Sequence, residues 1–454
     1  MSPTAATSLS RLREIAGALH VVEDPAQLAA YEIDGIRPGA AVAPASVDEL
    51  AEIVRFAAAE RLALVPCGGR TKLGMGMPPT RFDIALSTAR LNGVLAYDPA
   101  DLTLGVEAGI GVAALNAQLA EKGQMLPLLV GSYDGVTIGG IIATNSSSPL
   151  RHSFGGPRDY VLGMEFVTGK GVPTKSGGRV VKSVAGYDIH KLMIGSLGTL
   201  AVITRVNFKT FPLPPAQRTF VVSFNAPEPA LAMCRAIAQS PLQPWLVEVV
   251  DPAAALLVSS EAYRLPAGNW CVVLAACGKP SVVERHARDL PGIAEQSHAA
   301  AFAALTDTEK TSLLGRIREF ARHARDSSPA VTLVRFNVLP TEMPALLSRA
   351  RQIADQNQIP FAALVRAGGF VFVALLPPAN DADTLRRLAI AAKEFFRAAD
   401  DFTALTMIES CPAELKRKVN VWGPPRADLP LMRILKNEFD PRGIFSPGRF
   451  YGGI

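Results

Sequence analysis

The sequence predicts an α+β protein made of a first domain, a large duplicated cap and a C-terminal tail. Three observations carry this. A glycine-rich loop joins strand to strand rather than strand to helix, the middle of the chain repeats a strand–helix–strand–strand–helix rhythm, and a glycine- and proline-marked tail follows the last helix. The 454 residues suffice for two or three packed lobes around a large core.

Taken in order, Ser46-Val47-Asp48-Glu49 is a capping box, and Leu50, Ile53, Val54 and Ala57 continue it at helical spacing. A short apolar strand, Leu62 to Val65, leads into Pro66-Cys67-Gly68-Gly69-Arg70-Thr71-Lys72-Leu73-Gly74-Met75-Gly76. Pro78-Pro79 and another strand, Asp83 to Ser87, come next, so no helix opens at this loop. Strand-like runs at 93–97 and 102–107, a helix from Val112 to Lys122 stopped by Gly123, and short strands through Lys209 end at Phe211-Pro212-Leu213-Pro214-Pro215. That proline-rich segment closes a first domain, residues 1–215.

Residues 216–405 read as a duplicated cap. Strand 219–224, helix 229–239, strands 245–250 and 270–276, and helix 281–290 form one unit. Strand 331–338, helix 342–358, strands 361–366 and 370–376, and helix 382–399 repeat it, with a helix capped by Thr306 between them. Two split βαβ units of this kind predict two ferredoxin-like halves sharing a sheet. Residues 406–454 form the tail, with a last helix from Leu429 to Glu438 before Asp440-Pro441-Arg442-Gly443-Ile444-Phe445-Ser446-Pro447-Gly448-Arg449.

Composition narrows the function classes. A charged fraction of 19% and a net charge of +5, without a dense Lys/Arg run, leave room for an anionic ligand but argue against nucleic acid. The five cysteines are scattered with no CxxC, which excludes an iron–sulfur or zinc site of their own and fits a reduced, cytoplasmic compartment. Met1 to Ala18 has no apolar core of the signal type, and the most apolar stretch, 361–376, is broken by Arg366 and Gly368-Gly369 as a buried hairpin would be. No transmembrane segment is expected; peripheral attachment at the inner membrane through partners stays open.

Two segments carry candidate chemistry. Glycines after a buried strand let consecutive backbone N–H groups point into one concavity and hold phosphate oxygens, and Arg70, Thr71 and Lys72 add charge and a hydroxyl. A plain turn is the competing reading. The GK[ST] ending of a Walker loop is missing, and so is the helix a Rossmann fingerprint requires. The second segment, Gly131 to Ser148, crowds small residues around Gly139-Gly140. It suits either close approach of a flat ring or a tight helix start with small residues for packing.

The order of these motifs, capped helix, strand, P-x-G-G loop, then Thr137-Ile138-Gly139-Gly140-x-x-Ala143-Thr144-Asn145 and Gly195-Ser196-Leu197-Gly198-Thr199, resembles the FAD-binding domain of the vanillyl-alcohol oxidase/p-cresol methylhydroxylase (PCMH-type) family. Lys182-Ser183-Val184-Ala185-Gly186-Tyr187-Asp188 and the tail resemble the branch with the glycolate oxidase FAD-binding subunits, nearest the smaller accessory one. The resemblance implies that Cys67, Gly68, Gly69, Arg70, Thr71 and Lys72 wrap the FAD pyrophosphate. It implies that Thr137, Gly139, Gly140, Ala143 and Thr144 line the flavin, that Val202 and Ile203 meet the adenine end, and that Ser446-Pro447-Gly448 returns near the isoalloxazine. Leu197 and Ser446 depart from the Glu and Asn common at those places. A His often closes the loop glycines as the covalent flavin link; Arg70 stands there and Cys67 lies on the other side, so the FAD is expected to be non-covalent.

Catalytic members of the branch carry an H-x-G-D-G-N-x-H type metal cluster. The six histidines here are unpaired at ligand spacing, and Arg366-Ala367-Gly368-Gly369-Phe370 occupies the expected place, so no metal and no catalytic residue is assigned. Lys182, Tyr187 and Asp188 are either substrate- or partner-facing groups or a solvated loop. The resemblance implies an FAD subunit of a glycolate oxidase-like complex that oxidises a small 2-hydroxy acid, beside a catalytic FAD subunit and a separate iron–sulfur subunit. A non-catalytic flavin-bearing scaffold and a stand-alone FAD-dependent oxidoreductase are the alternatives.

Overall fold

Ser46 begins its helix as expected: its hydroxyl accepts the Glu49 amide at 3.1 Å, while the Glu49 carboxylate reaches back one residue further, to the Ala45 amide at 2.7 Å. The helix runs Val47–Glu60 and buries Leu50, Ile53, Val54 and Ala57, the face that its spacing marks. The computed structural model describes residues 3–180 and 186–454; Lys182 to Ala185, quoted above, lie outside the described residues.

The helix packs on a four-stranded sheet of order β1-β2-β4-β3, with β1 (Val21–Val22), β2 (Ala40–Val42), β3 (Leu64–Cys67) and β4 (Ile84–Ser87). The loop after β3 links strand to strand, as its sequence predicts, and β2 and β3 both run parallel to β4. A second sheet has the order β5-β6-β10-β8-β9 and is antiparallel throughout: β5 (Val94–Asp98), β6 (Thr103–Glu107), β8 (Val161–Thr168), β9 (Pro173–Gly177) and β10 (Ala201–Lys209). β7 (Gln124–Met125) pairs separately with β11 (Phe211–Pro212) at the proline-rich boundary.

The cap is one eight-stranded antiparallel sheet, β15-β12-β14-β13-β17-β18-β16-β19. Its first half is β12 (Ala216–Phe224), β13 (Leu246–Val250), β14 (Trp270–Gly278) and β15 (Ala301–Ala304); its second is β16 (Thr332–Asn337), β17 (Phe361–Arg366), β18 (Phe370–Leu375) and β19 (Leu405–Ser410). Each half lists its strands in the order 4-1-3-2 from its outer edge, so the halves meet through β13 and β17 about a local two-fold. Helices Pro227–Gln239, Pro280–Gln296, Met343–Gln356 and Ala382–Asp401 supply the residues of one core layer, including Ile237, Leu290, Leu346 and Phe395. Helices Pro252–Val258, Asp307–Arg318 and Phe320–Ser327 supply Ala255, Ile317 and Phe320 to the layer on the other face. Alternate strand residues feed the two layers: Phe361, Ala363 and Val365 one, Ala362 and Leu364 the other. A sheet buried on both faces explains why 361–375 reads as a continuous apolar run.

Two strands of the cap escape the sequence reading. β15 and β19 are the sheet's edges, and a partly exposed edge strand has no apolar alternation to betray it. The expected cap boundary at 405/406 therefore falls on the first residue of β19, and we place the end of the cap after Ser410.

Beyond it, the tail returns to the first sheet. The Leu64 amide donates to the Ile444 carbonyl (2.7 Å) and the Ser446 amide to the Leu64 carbonyl (2.8 Å), which covers the open edge of β3. Lys436, on the helix Leu429–Phe439, fixes this return from inside: its Nζ donates to Thr199 O and Asp440 Oδ2 at 2.7 Å each and to Phe445 O at 3.0 Å. Asp440 in turn accepts the Ile444 and Phe445 amides. Replacing Lys436 by Met strands a buried carboxylate, and chemical denaturation should show a loss of about 3–5 kcal/mol. An unchanged midpoint and slope would mean that the tail is held by its backbone bonds alone.

Candidate functional site

The loop after β3 divides its hydrogen-bonding groups in a way that defines the site. Among the described residues, the amides of Gly68, Gly69, Arg70, Thr71 and Lys72 donate to no protein acceptor. Just downstream the carbonyls are fully engaged. Arg449 Nη2 donates to Leu73 O and, at 2.7 Å, to Met75 O, and Lys416 Nζ donates to Gly74 O at 2.6 Å while paired with Asp34 at 2.7 Å. The chain is thus clamped by its acceptors and leaves a run of donors free, with Arg70 in the left-handed region (φ 60°) turning the backbone between them. Free amides in a turn of this kind form an anion-binding nest.

The donors face a cleft of about 820 Å³. Cys67, Gly68, Gly69, Arg70, Thr71 and Lys72 form one wall, Thr137, Gly139, Gly140, Ala143 and Thr144 another, and Val202 and Ile203 of β10 close an end. The thirteen residues expected on the loop, the second segment and β10 therefore line one cavity.

The second segment forms the tight helix start, and it still lines the cleft. The helix is Ile138–Thr144, capped by Thr137 Oγ1 on the Gly140 amide and ended by Asn145 in the left-handed region. Its first amides are already taken, Ile138 by Ile110 O and Gly139 by Ala108 O. Gly139 is needed for packing, since a Cβ there would meet Ala108 Cβ at 2.9 Å. Gly69 has a similar reason: its Cβ would fall 1.7 Å from Gly135 O, so this glycine lets the two segments lie against each other.

Ser446 to Gly448 do not line the cleft; they pack on Leu64 and Thr80, and Arg449 is the tail residue that reaches it. Arg449 was missed because its partners lie 374 and 376 residues away in sequence. Arg70 lays its guanidinium over the Tyr31 ring at 4.8 Å instead of extending along its own loop. The charges that act on Lys72 belong to the cap: burial lowers its pKa and Arg335, Arg366 and Arg325 add to that, while Glu409 opposes them. Tyr187 is almost fully exposed, and neither it nor Asp188 lines the cleft. Cys67 is buried with its thiol pushed up to about 12 by burial, so it is no nucleophile at neutral pH.

A second cleft, of about 1270 Å³, opens between this loop and the cap and shares Thr71 and Lys72 with the first. Glu409 and Arg366 line it; Glu409 pairs with Arg335 at 2.6 Å. Arg366 and Glu248 face each other across the β13–β17 seam, with Arg366 Nε 3.2 Å from the carboxylate. Among the described residues, no group of three or more His, Cys, Asp or Glu could hold a metal ion, and no helix is long and apolar enough to cross a membrane.

A run of free amides along one cleft, beside a second cleft lined by the cap, is an arrangement that suits a flavin-dependent oxidoreductase. Comparison with known proteins agrees. A model described as FAD binding domain matches residues 38–176, and one described as FAD linked oxidases, C-terminal domain, matches residues 213–399. The chain is 27% identical to the glycolate oxidase subunit GlcD of Bacillus subtilis, over 91% of this chain and 89% of that one. It is 37% identical to the glycolate oxidase subunit GlcE of Escherichia coli, over 37% of this chain and 47% of that one. Substrate-bound p-cresol methylhydroxylase has the same fold, with a TM-score of 0.80 over 99% of this chain and 97% of its own at 16% identity. The chain belongs to the PCMH-type FAD-linked oxidoreductases, with an FAD-binding domain followed by an FAD-oxidase C-terminal domain.

Two predictions follow from this geometry. Gly69→Val forces the loop off Gly135 and should abolish flavin retention, whereas Cys67→Ser should keep it; the flavin-to-protein absorbance ratio reads both, with far-UV circular dichroism as the folding control. A fully loaded Gly69→Val protein would place the cofactor elsewhere. Burial also raises the Glu248 carboxyl from 4.5 to about 7 against the pull of Arg366. Folded protein then holds that proton more tightly than unfolded chain, so stability falls as pH rises through this window and levels off above it. Glu248→Gln should shrink the difference in urea midpoint between pH 5 and pH 7, leaving the smaller slope of Asp251, itself raised to about 6 by burial. An unchanged difference would show that Glu248 is ionised throughout.

Proposed function

We propose that this chain binds FAD without a covalent bond and serves as an FAD-binding subunit of a glycolate oxidase-like complex that oxidises 2-hydroxy acids. The observation that carries the reading is the run of free amides from Gly68 to Lys72, which suits a pyrophosphate, set beside a cleft lined by the cap. In this reading residues 67–72 hold the pyrophosphate. Thr137, Gly139, Gly140, Ala143 and Thr144 support the flavin, Val202 and Ile203 bound the adenine end, and Arg449 fixes the loop from behind. Residues 1–215 and the tail build the FAD domain around the cap. FAD supplies the two-electron chemistry, and the protein supplies position and electrostatics.

The non-covalent assignment rests on Arg70, which stands where a linking His would be, and on the buried, unreactive Cys67. The complex is inferred from the relatives named as glycolate oxidase subunits, and its other members would be a catalytic FAD subunit and an iron–sulfur subunit. No histidine cluster is available to polarise a hydroxyl among the described residues. Acid precipitation should therefore leave the yellow colour in the supernatant. Glycolate and D-lactate should bleach the flavin of the isolated chain slowly under anaerobic conditions, with rapid turnover appearing once co-purifying subunits are restored. A yellow pellet would refute the non-covalent claim, and rapid bleaching of the single chain would replace the subunit reading with a self-sufficient dehydrogenase.

A further inference from the structure

We propose that the second cleft binds a hydroxy acid with a carboxylate at each end, held by arginine and lysine side chains rather than by a metal. This rests on the functional reading above, because the cleft gains its importance from lying next to the flavin cleft, and it names the substrate class of that site. The charge pattern comes first. Five cations, Lys72, Arg318, Arg322, Arg325 and Arg366, line the cleft against two carboxylates, Glu319 and Glu409.

The carboxylates are already engaged. Glu319 lies 3.5 Å from Arg318 Nε and 3.6 Å from Arg322 Nε and accepts the Ser132 amide at 2.9 Å, while Glu409 is bound to Arg335. Among the described residues neither Lys72 nor Arg325 makes an ion pair or a side-chain hydrogen bond, so their charge stays available. Arg366 adds an independent sign of a missing partner. It is only 8% exposed and lies 4.9 Å from the Phe372 ring centroid, yet its Nη1 has no hydrogen-bond acceptor. A buried guanidinium N–H without an acceptor is costly, and a ligand carboxylate would satisfy it with a charge-assisted bond.

Depth sets the number of anionic ends. Arg366 is buried and Lys72 half-buried, whereas Arg325 is exposed at the mouth. A short monocarboxylate can engage the inner cations only. A dicarboxylate has a second charge to offer the outer arginine, which lines the same cavity. The charged donors are all N–H groups, which suit carboxylate oxygens directly.

The test uses the FAD-loaded full chain and two redox-inert acids of equal length, glutarate and pentanoate, titrated by calorimetry with the flavin absorption spectrum followed in parallel. Glutarate should bind at least about tenfold more tightly than pentanoate, a difference of about 1.4 kcal/mol, and EDTA should not change it. Arg325→Gln, a change at an exposed residue, should remove that preference while leaving pentanoate unaffected; Arg366→Lys should weaken both acids. Equal affinities, no binding of either acid, loss of binding in EDTA, or an Arg325→Gln protein that keeps the preference would each overturn the proposal. The flavin-to-protein ratio of the same sample separates this from the broader reading. A chain that binds glutarate but retains no flavin sinks the functional assignment alone, and a flavin-loaded chain indifferent to glutarate sinks this one alone.

Discussion

The structure depends on how one short loop settles its backbone polarity. Buried amides and carbonyls must find partners, and the segment from Gly68 to Met75 meets that demand unequally. Its last carbonyls are bound by Arg449 and Lys416, cations supplied by distant parts of the chain, while its first amides are left facing a cleft. A loop clamped through its acceptors is rigid before any ligand arrives, so little ordering entropy is left to oppose binding. The cations bear that burden at a cost: burial lowers the Arg449 pKa to about 10, with the Leu73 and Met75 carbonyl oxygens as its acceptors and the Asp34 carboxylate opposing the shift. The tail must therefore close before the site exists, which gives the Lys436–Asp440 lock its importance.

The cap solves a different problem. Two halves of similar topology join edge to edge, and the joint between β13 and β17 would be an ordinary apolar seam if Val249, Val250, Leu364 and Val365 were all it held. Glu248 opposite Arg366 breaks that pattern. The sequence alternation puts both side chains on the face carrying Leu364 and Val250, the same layer that carries Ile317 and Phe320, and away from the four long helices. A buried ion pair adds little to stability on balance. Its effect here is to hold a guanidinium at the floor of the second cleft, against a carboxylate that burial makes reluctant to ionise, so the cation is only partly compensated.

Much of this could be read from the sequence, and the reasons are local. The helix at Val47, the strand-to-strand loop, the apolar hairpin of β17 and β18 and the repeated cap rhythm all follow from periodicity, capping residues and glycine placement within short windows. The line of residues around the first cleft was legible because motif order carries it. What was not legible depends on closure of the chain over long separations: Arg449 on Leu73 and Met75, Lys416 on Gly74, and Glu248 on Arg366. The reason for Gly69 was also hidden, since nothing within the loop shows that Gly135 will lie against it. The edge strands β15 and β19 failed for the opposite reason, having too weak a local signature to announce pairing that the sheet imposes on them.

Lys72 joins these two parts of the molecule. It ends the run of free amides, lines both clefts, and has its charge opposed by burial and three arginines and supported by Glu409. For a cation in that position, any anion brought close favours the protonated form, and the protonated form in turn favours the anion. An anion in the first cleft and an anion in the second act on the same ammonium group. By linkage, each alters the affinity of the other by an equal factor. Direct repulsion between the two anions works against that shared attraction, and the distance over which it acts is shortened wherever the intervening groups are positive. A loop that carried its glycines but a neutral residue at position 72 would keep the first cleft and lose this connection to the second.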